Sequence, residues 1–316
     1  MSPKQSAGPT VRELEEFDDE IRSQSSPDEL RLLEAHPVDE FLGYFEHAGP
    51  RRYNHLPPVL EQWFPKTTED ESASRTYMRM ALLTRMRQFL IRGTAEHYPE
   101  SIKCQYEIHL NLMVREFRRR RSDYFRLRND LFLKDLALVD GRMAPAGAQL
   151  IETLSGVPRS ILIRCGLVAA IEFSLFWISE LRGFAPFFEM HTDPRRIREF
   201  TPQGWNCFYL RAAELLERRP EILGLWSGAW WNDPAVPKIS PDLAFLQEVP
   251  LAHGARTFRF SENDAKANAL RFSIARQQAY ESGVYRPTNY FLIWSRNDIM
   301  RWAKEFEKAG GSSNRC

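Results

Sequence analysis

From Phe184 to Cys316 the chain alternates short strand-like runs with longer amphipathic ones, and this alternation constrains the fold more than any other feature. FAPFFEMHT reads as a strand, and TPQGWNCFYLRAAELLERRP as a helix stopped by its proline. ILGLWSGAWW is a second strand, ISPDLAFLQEV a short helix and ARTFRFS a third strand. ENDAKANALRFSIARQQAYESG reads as one helix closing on glycine, TNYFLIWS as a strand and NDIMRWAKEFEKAGG as a capped last helix. This alternation of strands and helices argues for an α/β sheet domain.

Upstream the periodicity is helical. Residues 1–25 are rich in Ser, Pro and acids and are expected to be a disordered tail. Ser26-Pro27-Asp28-Glu29 carries the chemistry of a capped helix start. A further helix follows TTEDES, with Met78, Leu82, Met86 and Phe89 on one face, and stops near Gly93. The longest seam runs Tyr106, Leu110, Met113, Phe117, Arg120, Tyr124, Leu127, Leu131 and predicts one long helix after Pro99. The expected organisation is a tail over 1–25, a helical region over 26–140 and a mixed-sheet α/β domain over 141–316.

Composition removes several classes. The formal charge is only +1, so the chain is not a general polyanion binder and nucleic acid is not an expected partner. Its halves differ: residues 1–72 carry −9 and the remainder +10, which points to a phosphate-bearing ligand for the latter. Cys104, Cys165, Cys207 and Cys316 form no CxxC pair, so neither a disulfide framework nor a zinc knuckle is predicted, and a reducing cytoplasm is the expected compartment. MSPKQSAGPTVRELEEFDDE lacks the apolar core of a secretory leader. Arg164, Glu172 and Glu180 interrupt the apolar stretch 161–181, which favours a buried or interface-lying helix over a spanning one. No P-loop, Rossmann fingerprint, GxSxG elbow or HExxH motif is present.

The chemistry concentrates between Phe187 and Trp231. A strand runs into the loop DPRRIREFTPQG, then a helix, then GLWSGAWW. A loop rich in Arg and Gly at a helix N-terminus is a physical anion site, with Arg195, Arg196 and Arg198 supplying charge and Gly204 permitting close approach. Alternation puts Glu189, His191 and Asp193 on one strand face. This order of elements resembles the core of GNAT-type acyl-CoA N-acyltransferases, in which a strand, a Q/R-x-x-G-x-G/A pyrophosphate loop, a helix and a further strand cradle CoA. The loop motif is reduced here to Gln203-Gly204. The resemblance implies acyl transfer from acyl-CoA as co-substrate to an amine, with the pantetheine arm between two splayed strands and no metal. It makes Glu189 or His191 the base, Tyr209, Tyr280 or Tyr285 the acid, and Arg195, Arg196, Arg198, Gln203 and Gly204 the CoA contacts.

Trp226 and Trp230, expected on one strand face, offer an apolar wall, and Arg120 in the run Arg118–Arg121 an anion contact. With the apolar 161–181 stretch these fit a lipid-type amine, such as a sphingoid base or amino-lipid, and peripheral membrane contact. Plainer roles stand beside these: Asp193 as a helix cap, His191 as a buried imidazole, the tryptophans as core, the arginine run as a solvated face and Asp233 as a turn former. Two other functions remain open. One is a non-catalytic protein docking anionic membrane or nucleic acid through the basic helix. The other is an Fe(II)/2-oxoglutarate oxygenase using His191, Asp193 and His253 with Arg259.

Overall fold

The computed structural model describes residues 8–46, 52–56, 58–63, 71–119, 123–158, 167–179, 186–261 and 265–310. The chain divides into two compact units, residues 1–145 and 146–316. The boundary falls a few residues beyond the expected one.

The first unit is helical: α1 Val11–Gln24, α2 Pro27–Ala35, α3 Val38–Glu46, α4 Pro58–Trp63, α5 Glu71–Ile91, α6 Glu100–Arg119 and α7 Asp130–Val139, closed by the short strand β1 Met143–Pro145. The expected tail is corrected by α1. Thr10 caps it by accepting the Glu13 N–H at 3.2 Å, and Leu14 and Ile21 are buried. Leu14, Phe17 and Ile21 form an apolar stripe at helical spacing, and Phe17 stacks on Phe117. The α1 acids then meet basic groups, Glu13 pairing with Arg118 at 2.6 Å and Asp18 with Arg87 at 3.3 Å. Ser26 and Glu29 form the expected capping box on α2. Helix α5 is the unit's centre, with Met78, Leu82, Met86 and Phe89 buried, and it ends before Gly93, whose φ of 59° suits glycine.

The single long seam through Leu131 is broken. Helix α6 ends at Arg119, and α7 begins afresh where Asn129 accepts the Phe132 N–H at 3.0 Å. Tyr124 lies between them, its hydroxyl donating to buried Asp135 at 2.5 Å. A cap that satisfies orphan amides outweighs continued periodicity. Arg120 and Arg121 lie outside the described residues.

The second unit carries β2 Gln149–Ser155, α8 Leu167–Ser179, β3 Phe187–Thr192, a 3₁₀ turn Pro194–Glu199, α9 Pro202–Arg218, β4 Gly224–Ala229 and a 3₁₀ turn Trp230–Asn232. It continues with α10 Val236–Ile239, α11 Phe245–Ala252, β5 Arg256–Ser261, α12 Ala265–Leu270, α13 Ile274–Glu281, β6 Asn289–Ser295 and α14 Arg296–Lys308. Its strands lie in the order β2-β3-β4-β6-β5. β3 and β4 are parallel and the other pairs antiparallel, so the sheet is mixed, as the sequence predicts. Ser273 splits the expected 262–283 helix in two by capping α13.

Register assigns the faces. Glu152 is opposite Glu189, Glu189 opposite Trp226, Trp226 opposite Ile293, and Phe258 opposite Phe291. On that face Phe187, Trp226, Phe258, Phe291 and Ile293 pack against Phe173 and Phe176 of α8. The other face, with Leu225 and Trp294, is covered by α9 and α14 through Tyr209 and Trp302. The unit therefore has three layers around two apolar seams.

Candidate functional site

Strands β3 and β4 define the site. Their ladder holds two register pairs, Phe188 with Leu225 and Glu189 with Trp226, whereas β3 continues to Thr192 and β4 to Ala229. The outer sides keep their partners, Gln149 opposite Thr192 and Ala229 opposite Tyr290. The parallel ladder thus stops short of the carboxyl ends of its strands, where open α/β sheets place ligands.

Beside the end of that ladder three ionisable side chains share one face. His191 Nε2 lies 2.9 Å from Glu152 Oε2 and 3.8 Å from Glu189 Oε1. The Ser155 hydroxyl donates to Glu189 Oε2 at 2.7 Å. The side chains of Glu152 and Glu189 are 3% and 8% exposed and that of His191 14%, so the imidazole is the part nearest solvent. Buried carboxylates are stabilised only by hydrogen bonds or a positive neighbour, and imidazole can supply both. Among the described residues this is the one group able to offer three ligand atoms to a metal, all within 4.8 Å of one another.

Glu189 and His191 are thus together, as strand alternation predicts, and Asp193 is not with them. Asp193 is fully buried, caps the 3₁₀ turn through the Arg195 N–H at 2.9 Å and grips the Arg195 guanidinium at 2.8 Å. Arg196 pairs with Glu199. Two of the three loop arginines therefore have carboxylate partners, and Arg198 is the exposed one. At the start of α9, Pro202 has no N–H and the Gly204 N–H donates to Thr201 Oγ1 at 3.1 Å. Gln203 is exposed there. A Cβ at Gly204 would meet the Glu199 backbone, so its smallness serves chain packing.

The tyrosines lie elsewhere. Tyr209 is sealed on the opposite face, edge-on to Trp294, with its hydroxyl accepting the Trp205 indole N–H at 2.7 Å. Burial raises its pKa. Tyr280 is half-buried on α13, its ring under the Lys266 ammonium at 4.5 Å. Tyr285 is buried, with no hydrogen-bond partner for its hydroxyl among the described residues. Its pKa is raised by burial and then by the Asp233 charge, which Arg276 offsets. Asp233 shapes the turn after β4, accepting the Ala235 N–H at 2.9 Å.

Trp226 belongs to the apolar seam beside Glu189. Trp230 does not share its strand face, because β4 ends at Ala229 and Trp230 opens a 3₁₀ turn with the Arg276 guanidinium 4.6 Å above its ring. The iron triad is not assembled. His253 stands beyond α11 at 3.9 Å from Glu305, and its carbonyl accepts the Trp294 indole N–H at the far end of the sheet. Arg118 and Arg119, the described part of the basic run, are paired with Glu13 and Glu116.

Two features escape the sequence reading. Glu152 sits in QLIETLS, whose one signal is a charge inside an apolar strand. Cys207 on α9 is disulfide-bonded, which the cysteine spacing does not predict, while Cys104 is a free thiol. No helix among the described residues is long and apolar enough to cross a membrane.

No protein-family model matches the sequence, and no curated protein matches it. Among solved structures the chain is similar to a crystal structure of an acyltransferase in complex with decanoyl-CoA, at 15% identity, with 92% of each chain covered and a TM-score of 0.49.

Proposed function

We propose that this protein is an acyl-CoA-dependent N-acyltransferase of GNAT-like build, acting on an amine. The carrying observation is the parallel β3–β4 pair, whose ladder stops at Glu189 and Trp226 beside the Glu152–Glu189–His191 cluster. Its two strand edges accommodate a pantetheine arm, and the helix α9 N-terminus with Arg198 faces the anionic end. Catalysis then consists largely of alignment. The amine nitrogen attacks the thioester carbonyl, the base cluster takes the amine proton, and the C–S bond breaks with its electron pair leaving on sulfur. The thiolate is finally protonated.

The acceptor is a lipid-type amine in this reading. Its support lies on helix α8, which packs over Trp226, Phe258 and Phe291 on the face that carries the base cluster. Ile171, Leu175 and Ile178 recur along one exposed side of α8, which supports peripheral contact with lipid. The test is a thermal-shift titration with CoA and with short- and long-chain acyl-CoA, followed by thiol release with a panel of amines. A ligand at about 100 times its Kd stabilises by about 2.7 kcal/mol. A saturating shift that grows with chain length is expected. The absence of any shift with every acyl-CoA refutes the proposal.

A further inference from the structure

We infer that Glu152 is a positioning residue of this transferase: its carboxylate fixes the His191 ring with Nε2 protonated, so that Nδ1 is the atom that takes the amine proton. The inference rests on the proposed function and adds a residue and an atom to it. Cross-strand register puts Glu152 opposite Glu189 and one same-face step from His191, which is why Oε2 reaches Nε2 at 2.9 Å. An ionised carboxylate only accepts hydrogen bonds, so the nitrogen facing it must donate. The lone pair of the neutral ring then lies on Nδ1, the nitrogen on the other side of the imidazole.

The surroundings favour this division of labour. Glu152 stands on a strand, with its side chain 3% exposed, and a partner on a rigid element orients a ring better than one on a loop. Glu189 is held by the Ser155 hydroxyl and lies 3.8 Å from Nε2, too far to compete for the first hydrogen bond. Helix α8, packed on the same face, adds one charged side chain among its described residues, the exposed Glu172. Strand β5 adds Arg256, whose guanidinium lies over the Phe176 ring at 4.6 Å. In the reaction the N–C bond forms as the amine proton passes to Nδ1. The C–S bond breaks with its pair on sulfur, and the Nδ1 proton goes on to the thiolate or to water.

The test uses the full chain labelled with [15N]histidine, its seven histidines resolved by two-dimensional spectra and His191 assigned by its loss in His191→Gln. The expected wild-type state is the Nε2–H tautomer, giving way to a mixture in Glu152→Gln, whose amide both donates and accepts. In turnover, Glu152→Gln should lose about 10²-fold in kcat, the low end for a general base, with KM for acyl-CoA unchanged. Glu152→Asp should recover part of kcat. An Nδ1–H tautomer in the wild type overturns the inference, as does a Glu152→Gln protein that keeps both tautomer and turnover. The ring spectra need no substrate. A wild type with the Nε2–H ring and no acyl-CoA binding therefore sinks the transferase reading alone, and if Glu152→Gln fails to fold the wild-type tautomer still decides.

Discussion

Gly204→Ala separates two roles for the glycine at the start of α9. A methyl group there would overlap the Glu199 carbonyl oxygen and lie 3.0 Å from its carbon and 3.2 Å from its Cα. All three atoms are backbone, so no side chain can swing aside. The Pro194–Glu199 turn must shift while Arg196 holds Glu199 by its carboxylate. Overpacking of this kind costs about 1–3 kcal/mol, and an immovable backbone argues for the upper end. Alanine returns up to about 1 kcal/mol of helix propensity. The net is a loss of about 2 kcal/mol, which for a unit of this size lowers Tm by roughly 4–8 °C. Calorimetry of the full chain measures it, beside acyl-CoA titration of the same variant. A Gly204→Ala protein as stable as the wild type, with acyl-CoA binding lost, would refute the packing role and return the glycine to the ligand.

Tyr209→Phe should leave kcat within a fewfold of wild type. It should cost about 1–3 kcal/mol in urea unfolding, because the buried Trp205 indole N–H loses its acceptor. Unchanged stability with a large loss of turnover would place Tyr209 in the chemistry. Glu29 carries the pH prediction. Burial pushes its pKa up, but hydrogen bonds from the Ser26 backbone, Ser72 and Thr76 outweigh this and hold it below the usual value. Its stabilisation is therefore present above the unfolded carboxylate value and lost as pH falls through the folded one. Urea midpoints measured from neutral to acid pH should fall less steeply in Glu29→Gln, and parallel curves would contradict the assignment.

Much of the fold was legible because amphipathic periods and caps are local. Strands β3 to β6 and helices α5, α9 and α14 fall where the text places them. The breaks at Asn129 and Ser273 were less visible, since a cap competes with a seam and only energetics decides. At the site, Glu189 and His191 were readable from alternation along one strand, whereas Glu152 needs the pairing of β2 with β3, whose partners lie more than 30 residues apart in the chain. The loop arginines show the limit of counting charge. Asp193 and Glu199 stand two or three residues from the cations they neutralise, and sequence does not reveal which opposite charges meet. Tyr209 marks the same limit for residue type: its helix turns it to the α14 side of the sheet, away from His191.

Sheets that leave strand edges open usually do so at their rims, where a neighbouring molecule can add a strand and start aggregation. Here the ladder lapses in the interior, between β3 and β4, and each of those strands is paired on its outer side with β2 or β6. A ligand that used this lapse would have to be narrow enough to enter between two strands, which excludes anything as broad as another polypeptide sheet.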